Sequence, residues 1–93
     1  MGKKKIEDHQ IMNAVEELSA KKQELWRKRF GDLDGYPDQH RREEIQSMVD
    51  RLFDIQMSKS GFRSRLKKLV EKGELNQWKP FARTTFYRKS YDK

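Results

Sequence analysis

The chain has 93 residues, a formal net charge of +7, 40% charged residues and only 33% apolar ones, so residues 1–93 fit a single domain around one small core. The absence of cysteine excludes disulfides and thiolate metal sites. No apolar run approaches the ~18 residues a membrane-spanning helix needs, and the basic start lacks the apolar stretch of a secretory signal, so the chain reads as cytoplasmic.

Residues 1–6 form a short basic tail, Lys3 to Lys5 being its charges. Residues 7–30 have a helical pattern, with Ile11, Val15, Leu18, Leu25, Trp26 and Phe30 on one broad face interrupted by Lys21 and Lys22. Ile11, Leu18 and Leu25 recur at heptad spacing, but the companion seam positions are Ala14, Lys21 and Lys28, a poor coiled-coil seam. The pattern favours an amphipathic helix packed on its own domain. The alternative is a homodimer through helix 7–30, with Trp26 and Phe30 at the interface.

Residues 31–41 form the loop, punctuated by Gly31, Gly35 and Pro37. Asp32, Asp34, Asp38 and His40 have the donor types of a hard-metal site, but the further ligands of a calcium loop are missing. This is a solvated acidic turn, with Asp38 positioned to cap the next helix, and no metal is expected. From Arg41 to about Ile55 a second helix carries Ile45, Met48, Val49, Leu52 and Phe53 at core spacing. A link at Ile55, Gln56 and Met57 leads to a third helix over 58–72.

That third helix is bounded by Ser58, an N-cap residue type, and Gly73, a residue suited to a left-handed C-cap. Phe62, Leu66, Leu69 and Val70 make its apolar stripe. Ser60, Ser64, Lys67 and Lys68 point away from the stripe, with Arg63 on its flank. Residues 1–57 hold 11 Lys+Arg against 12 Asp+Glu, whereas residues 58–93 hold 11 against 3. A near-neutral half followed by a strongly basic one points to a localised polyanion-binding surface; a solvated basic face is the plainer alternative. Residues 74–89 read as a β-hairpin, with a turn at Lys79–Arg83, β-forming residues at Thr84–Arg88 and a tail over 90–93.

This order of pieces resembles the winged helix-turn-helix DNA-binding superfamily over residues 43–89. The resemblance is carried by Met57-Ser58-Lys59-Ser60-Gly61-Phe62, then Leu66, Leu69, Gly73 and Leu75, and by Arg83-Thr84-Thr85-Phe86-Tyr87-Arg88. It implies a mainly α fold with a small β-hairpin: helix-turn-helix over 42–73, wing over 74–89, preceded by the long N-terminal amphipathic helix. It further implies that Ser58 to Lys68 faces the major groove, and that the Lys79–Arg83 tip reaches an adjacent phosphate or the minor groove. Three features depart from the family pattern. Gln56 stands where the turn often has glycine, Gly61 replaces a stronger helix former, and the 31–40 loop is long.

The chemistry of the residues agrees with that expectation. Lys59, Arg63 and Lys67 have the reach to donate to guanine O6 and N7, and Ser60 and Ser64 suit bases or phosphates. Arg65, Lys68 and Lys72 flank the helix and, with Lys79 and Arg83 on the wing, suit phosphates. The expected function is sequence-specific binding of double-stranded DNA by a small transcriptional regulator or a phage- or plasmid-type accessory factor. Two alternatives stay open. One is a protein–protein adaptor anchored by Trp26, Trp78 and Phe81. The other is RNA binding through Trp78 and Phe86, against which an expected core position for Phe86 counts. His9 and His40 are the only histidines and read as surface residues; with no nucleophile or phosphate-loop motif, neither catalysis nor a cofactor is expected.

Overall fold

The computed structural model describes residues 5–91, so most of the proposed basic tail (1–4) and the last two residues of the C-terminal tail lie outside the described residues. Three helices and a three-stranded antiparallel sheet make up a small α+β domain: α1 (Asp8–Phe30), β1 (His40–Arg41), α2 (Arg42–Phe53), α3 (Lys59–Glu71), β2 (Leu75–Phe81) and β3 (Thr84–Lys89), with sheet order β1-β3-β2.

The core forms where the apolar stripes meet. Ile11, Ala14 and Val15 of α1, Ile45, Met48 and Val49 of α2, and Phe62, Leu66 and Leu69 of α3 are all buried, with Leu75 and Tyr87 closing the sheet side. Ile6 is buried with them, so the assignment of residues 1–6 to a tail ends one residue too late: its apolar side chain joins the core cluster. Only the first half of α1 reaches this core. Beyond Leu18 the helix runs past the body of the domain, leaving Leu25 66% and Phe30 56% exposed.

Helix ends follow the sequence signals where the chemistry is local. Ser58 Oγ accepts from the Gly61 amide at 3.1 Å, satisfying one of the free donors of the first turn of α3. At the other end Gly73 takes φ +81°, and the amides of Gly73 and Glu74 donate to the carbonyls of Val70 and Leu69, both at 3.0 Å. That double closure is a Schellman motif, which needs the left-handed residue that glycine supplies.

Four further expectations are corrected. The loop does not run through 31–41, because His40 and Arg41 pair with Tyr87 and Phe86 as β1. Asp38 does not cap α2: the N-cap is Arg41, whose amide donates to Glu44 Oε1 at 2.9 Å. Helix α2 stops at Phe53, not Ile55, because Asp54 turns left-handed at φ +55°, a conformation that Asp tolerates better than most residues. This is how the α2–α3 link turns without glycine. Ile55 is then buried, and Gln46 Nε2 donates to the Met57 carbonyl at 2.8 Å to hold the turn. Leu52, expected on the core stripe, is 42% exposed. Among the described residues no helix is long and apolar enough to cross a membrane.

Candidate nucleic-acid interface

Helix α3 and the hairpin enclose a cleft of about 170 Å³ whose cations are Arg41, Arg42, Lys59, Arg63 and Arg83, with Glu43, Thr84, Thr85 and Tyr87 completing its walls. Helical geometry explains the α3 contribution: Lys59 and Arg63 lie four residues apart, one turn above the other on the flank facing the hairpin. Arg83 arrives from the turn that joins β2 to β3, closed by the Phe81–Thr84 pair. Arg41 and Arg42 arrive because β1 pins the start of α2 against β3. Among the described residues the one acid lining the cleft is Glu43, whose carboxylate lies 3.6 Å from Arg41 Nη1 in an exposed pair.

The nine residues expected to bind DNA therefore separate into groups. Lys59, Arg63 and Arg83 share the cleft. Ser60, Ser64, Lys67 and Lys68 are exposed along the outward ridge of α3, Arg65 is half-buried on the far flank, and Lys79 is exposed on β2. Lys72 is engaged elsewhere: its ammonium pairs with Asp8, and Lys89 likewise pairs with Glu16. These two exposed pairs link the basic half of the chain to α1 and offset part of its charge at the surface. Arg41 and Arg42 were not singled out from the sequence. Their neighbours Glu43 and Glu44 mask them in a linear charge count, and only the pairing of β1 with β3 turns them towards α3.

The outward face of the sheet is aromatic. Trp78 and Phe86 are cross-strand partners with ring centroids 5.8 Å apart. Arg41 lies over Phe86 and Arg88 over Trp78, at 5.8 and 6.0 Å from the ring centroids, within the range of cation–π attraction. Phe86 is thus not a core residue as expected: its register partner Arg41 and its neighbour Trp78 both face outward, while Tyr87, one residue on, faces the core. Trp26 is half-buried, its ring 4.4 Å from Phe30 and 6.0 Å from Tyr36, and its indole N–H donates to the Asp34 carbonyl at 3.2 Å. It fastens the 31–39 loop to α1.

The acidic loop builds no ligand cage, and among the described residues no group of three or more His, Cys, Asp or Glu is placed to hold a metal. Asp32 is used locally, accepting from the Asp34 amide at 3.0 Å. His40 is fully buried, contrary to the expectation of a surface histidine, because β1 carries it onto the core face beside Tyr87. Ser19 Oγ donates to Asp38 Oδ1 at 3.0 Å and lies 2.9 Å from His40 Nε2. With the Ser19 proton given to Asp38, and Asp38 Oδ1 itself 3.3 Å from His40 Nε2, the tautomer that fits carries its proton on Nε2, and Nδ1 is a buried atom without a hydrogen-bond partner. Burial lowers the His40 pKa first of all, the Lys22 charge lowers it further, and Asp38 and Glu44 oppose. No protein-family model, curated protein or solved structure matches this chain.

Proposed function

We propose that the protein is a winged helix-turn-helix DNA-binding protein that reads double-stranded DNA with α3 in the major groove and follows the backbone with the β2–β3 hairpin as its wing. The observation that carries the reading is the basic cleft, in which cations from α3, the hairpin tip and the start of α2 converge on one concave surface. The outward ridge of α3, with Ser60, Ser64 and Lys67, supplies the base-reading side chains, because a helix fills the major groove and Lys and Ser donate to base edges there. Lys59, Arg63, Arg83, Arg41 and Arg42 supply phosphate contacts, and Lys68, Arg65 and Lys79 extend them. The role is that of a small regulator or accessory factor acting by occupancy of its site, and the chemistry requires no cofactor. Two copies meeting through the exposed distal half of α1 would place two such helices on one duplex.

Fluorescence anisotropy on mixed-sequence duplex DNA, titrated with salt, tests this reading. Some six phosphate contacts give a log–log slope of about −5, and Arg63→Ala lowers it by about 1. Absence of binding at low salt, or binding indifferent to salt, would sink the proposal. A strong preference for single-stranded RNA would instead transfer the function to the Trp78–Phe86 face.

A further inference from the structure

We infer that Phe81 is a wedge that enters the duplex between base pairs beside the seated α3, so that the protein kinks the DNA it binds. This rests on the duplex-binding reading above and adds an activity to it. Phe81 is the most exposed large apolar residue named in the fold, at 71%. It sits at the far end of β2, where residues 79–83 are all exposed. Among the described residues Phe81 takes no part in the ring stacking that engages Trp78 and Phe86. A phenyl ring held in water adds little to folding, which leaves Phe81 available to a partner outside the domain.

Its position is nonetheless fixed. Phe81 pairs with Thr84 across the two-residue turn Ala82–Arg83, after an irregularity in register between Trp78 and Phe81, and Pro80 ahead of it has a restricted φ. The chemistry around it is one-sided, since residues 75–91 contain Lys79, Arg83, Arg88 and Lys89 and no acid. An apolar ring flanked by cations matches a polyanion that also offers flat apolar surfaces, which is a base stack between two phosphate backbones. Arg83, two residues on, lines the same cleft as Lys59 and Arg63, so the tip lies on the side of the domain that α3 presents to DNA. Proteins that push Phe or Leu between base steps kink the duplex by roughly 20–90°, and the pyrimidine–purine step TA yields most readily.

The test uses the full chain at low salt with short duplexes carrying 2-aminopurine at successive TA steps and a fluorophore pair at their ends. The parent should raise 2-aminopurine emission at one step and shorten the end-to-end distance by an amount equal to a bend of at least about 20°. Phe81→Ala should still bind with an unchanged salt slope but leave the duplex straight and the probe quenched. Phe81→Leu, which keeps apolar bulk, should restore both signals. A duplex that stays straight when bound by the parent, or bends equally with Phe81→Ala, overturns the wedge while leaving duplex binding intact. Failure of the parent to bind any duplex overturns the wedge together with the reading on which it rests.

Discussion

His40 and Gly61 show how a single residue's environment sets its energetics. Protonating His40 would bury a charge beside Lys22 and put a new N–H donor at Nδ1, where no acceptor stands, so even with Asp38 3.3 Å from Nε2 its folded-state pKa lies below the ordinary 6.5. The unfolded chain therefore takes up the proton first. Stability from neutral His40 is complete above about pH 6.5 and is lost as the pH falls through that value towards the folded one. Urea midpoints should drop between pH 7 and pH 5.5 for the parent and stay nearly flat for His40→Gln; a parent midpoint that holds or rises would refute this account. Gly61 has a different logic. A Cβ built there would stand 2.9 Å from Ser58 Oγ, so alanine would gain up to ~1 kcal/mol of helix propensity while displacing a cap worth about 1 kcal/mol. Gly61→Ala should consequently be close to neutral in the parent. In a Ser58→Ala background, where no hydroxyl is crowded, it should stabilise by about 1 kcal/mol, and equal effects in both backgrounds would show that the cap and the glycine are uncoupled.

Among the elements, legibility divides by the range of the interaction that makes each one. The three helices were readable because their stripes repeat every turn and their caps are local: Phe62, Leu66 and Leu69 announce α3, and Ser58 and Gly73 close it. The hairpin was readable from its β-forming residues. Strand β1 was not, because His40 and Arg41 are extended only through Tyr87 and Phe86, far along the chain. Missing β1 misplaced three things together: the burial of His40, the outward turn of Phe86, and the entry of Arg41 and Arg42 into the basic cleft. The cleft supplies the check. If its cations act as one surface, Arg42→Ala, although in the nearly neutral half of the chain, should lower the salt slope of DNA binding by about 1, and Arg83→Ala should do the same. Lys72→Ala, which removes the partner of Asp8, should leave that slope unchanged. An effect of Lys72→Ala equal to that of Arg42→Ala would mean that the whole basic half, and not the cleft, contacts DNA.

At the scale of the molecule, the long axis of 48 Å against 28 and 26 Å leaves an unpartnered end. The proximal half of α1 is spent on the core through Ile11, Ala14 and Val15, so a dimer through the whole of helix 7–30 has no free seam there. The distal half remains available, and its charges are self-complementary: Arg27, Lys28 and Arg29 of the helix lie next to Asp32 and Asp34 of the loop folded back beside it. A two-fold arrangement of two copies would set the basic residues of one against the acidic residues of the other. Trp26 is the wrong residue with which to test this, since it packs on Phe30 and Tyr36 and holds the loop, so Trp26→Ala would disturb the domain itself. Leu25 is the clean probe, being 66% exposed. Leu25→Glu should halve the solution mass in sedimentation without lowering the unfolding midpoint by more than about 0.5 kcal/mol equivalent, the scale of a surface substitution. It should also remove any concentration dependence of DNA binding while leaving the salt slope per copy intact. A parent that sediments as a monomer at every concentration would mean that one α3 and one wing carry the whole of the DNA contact.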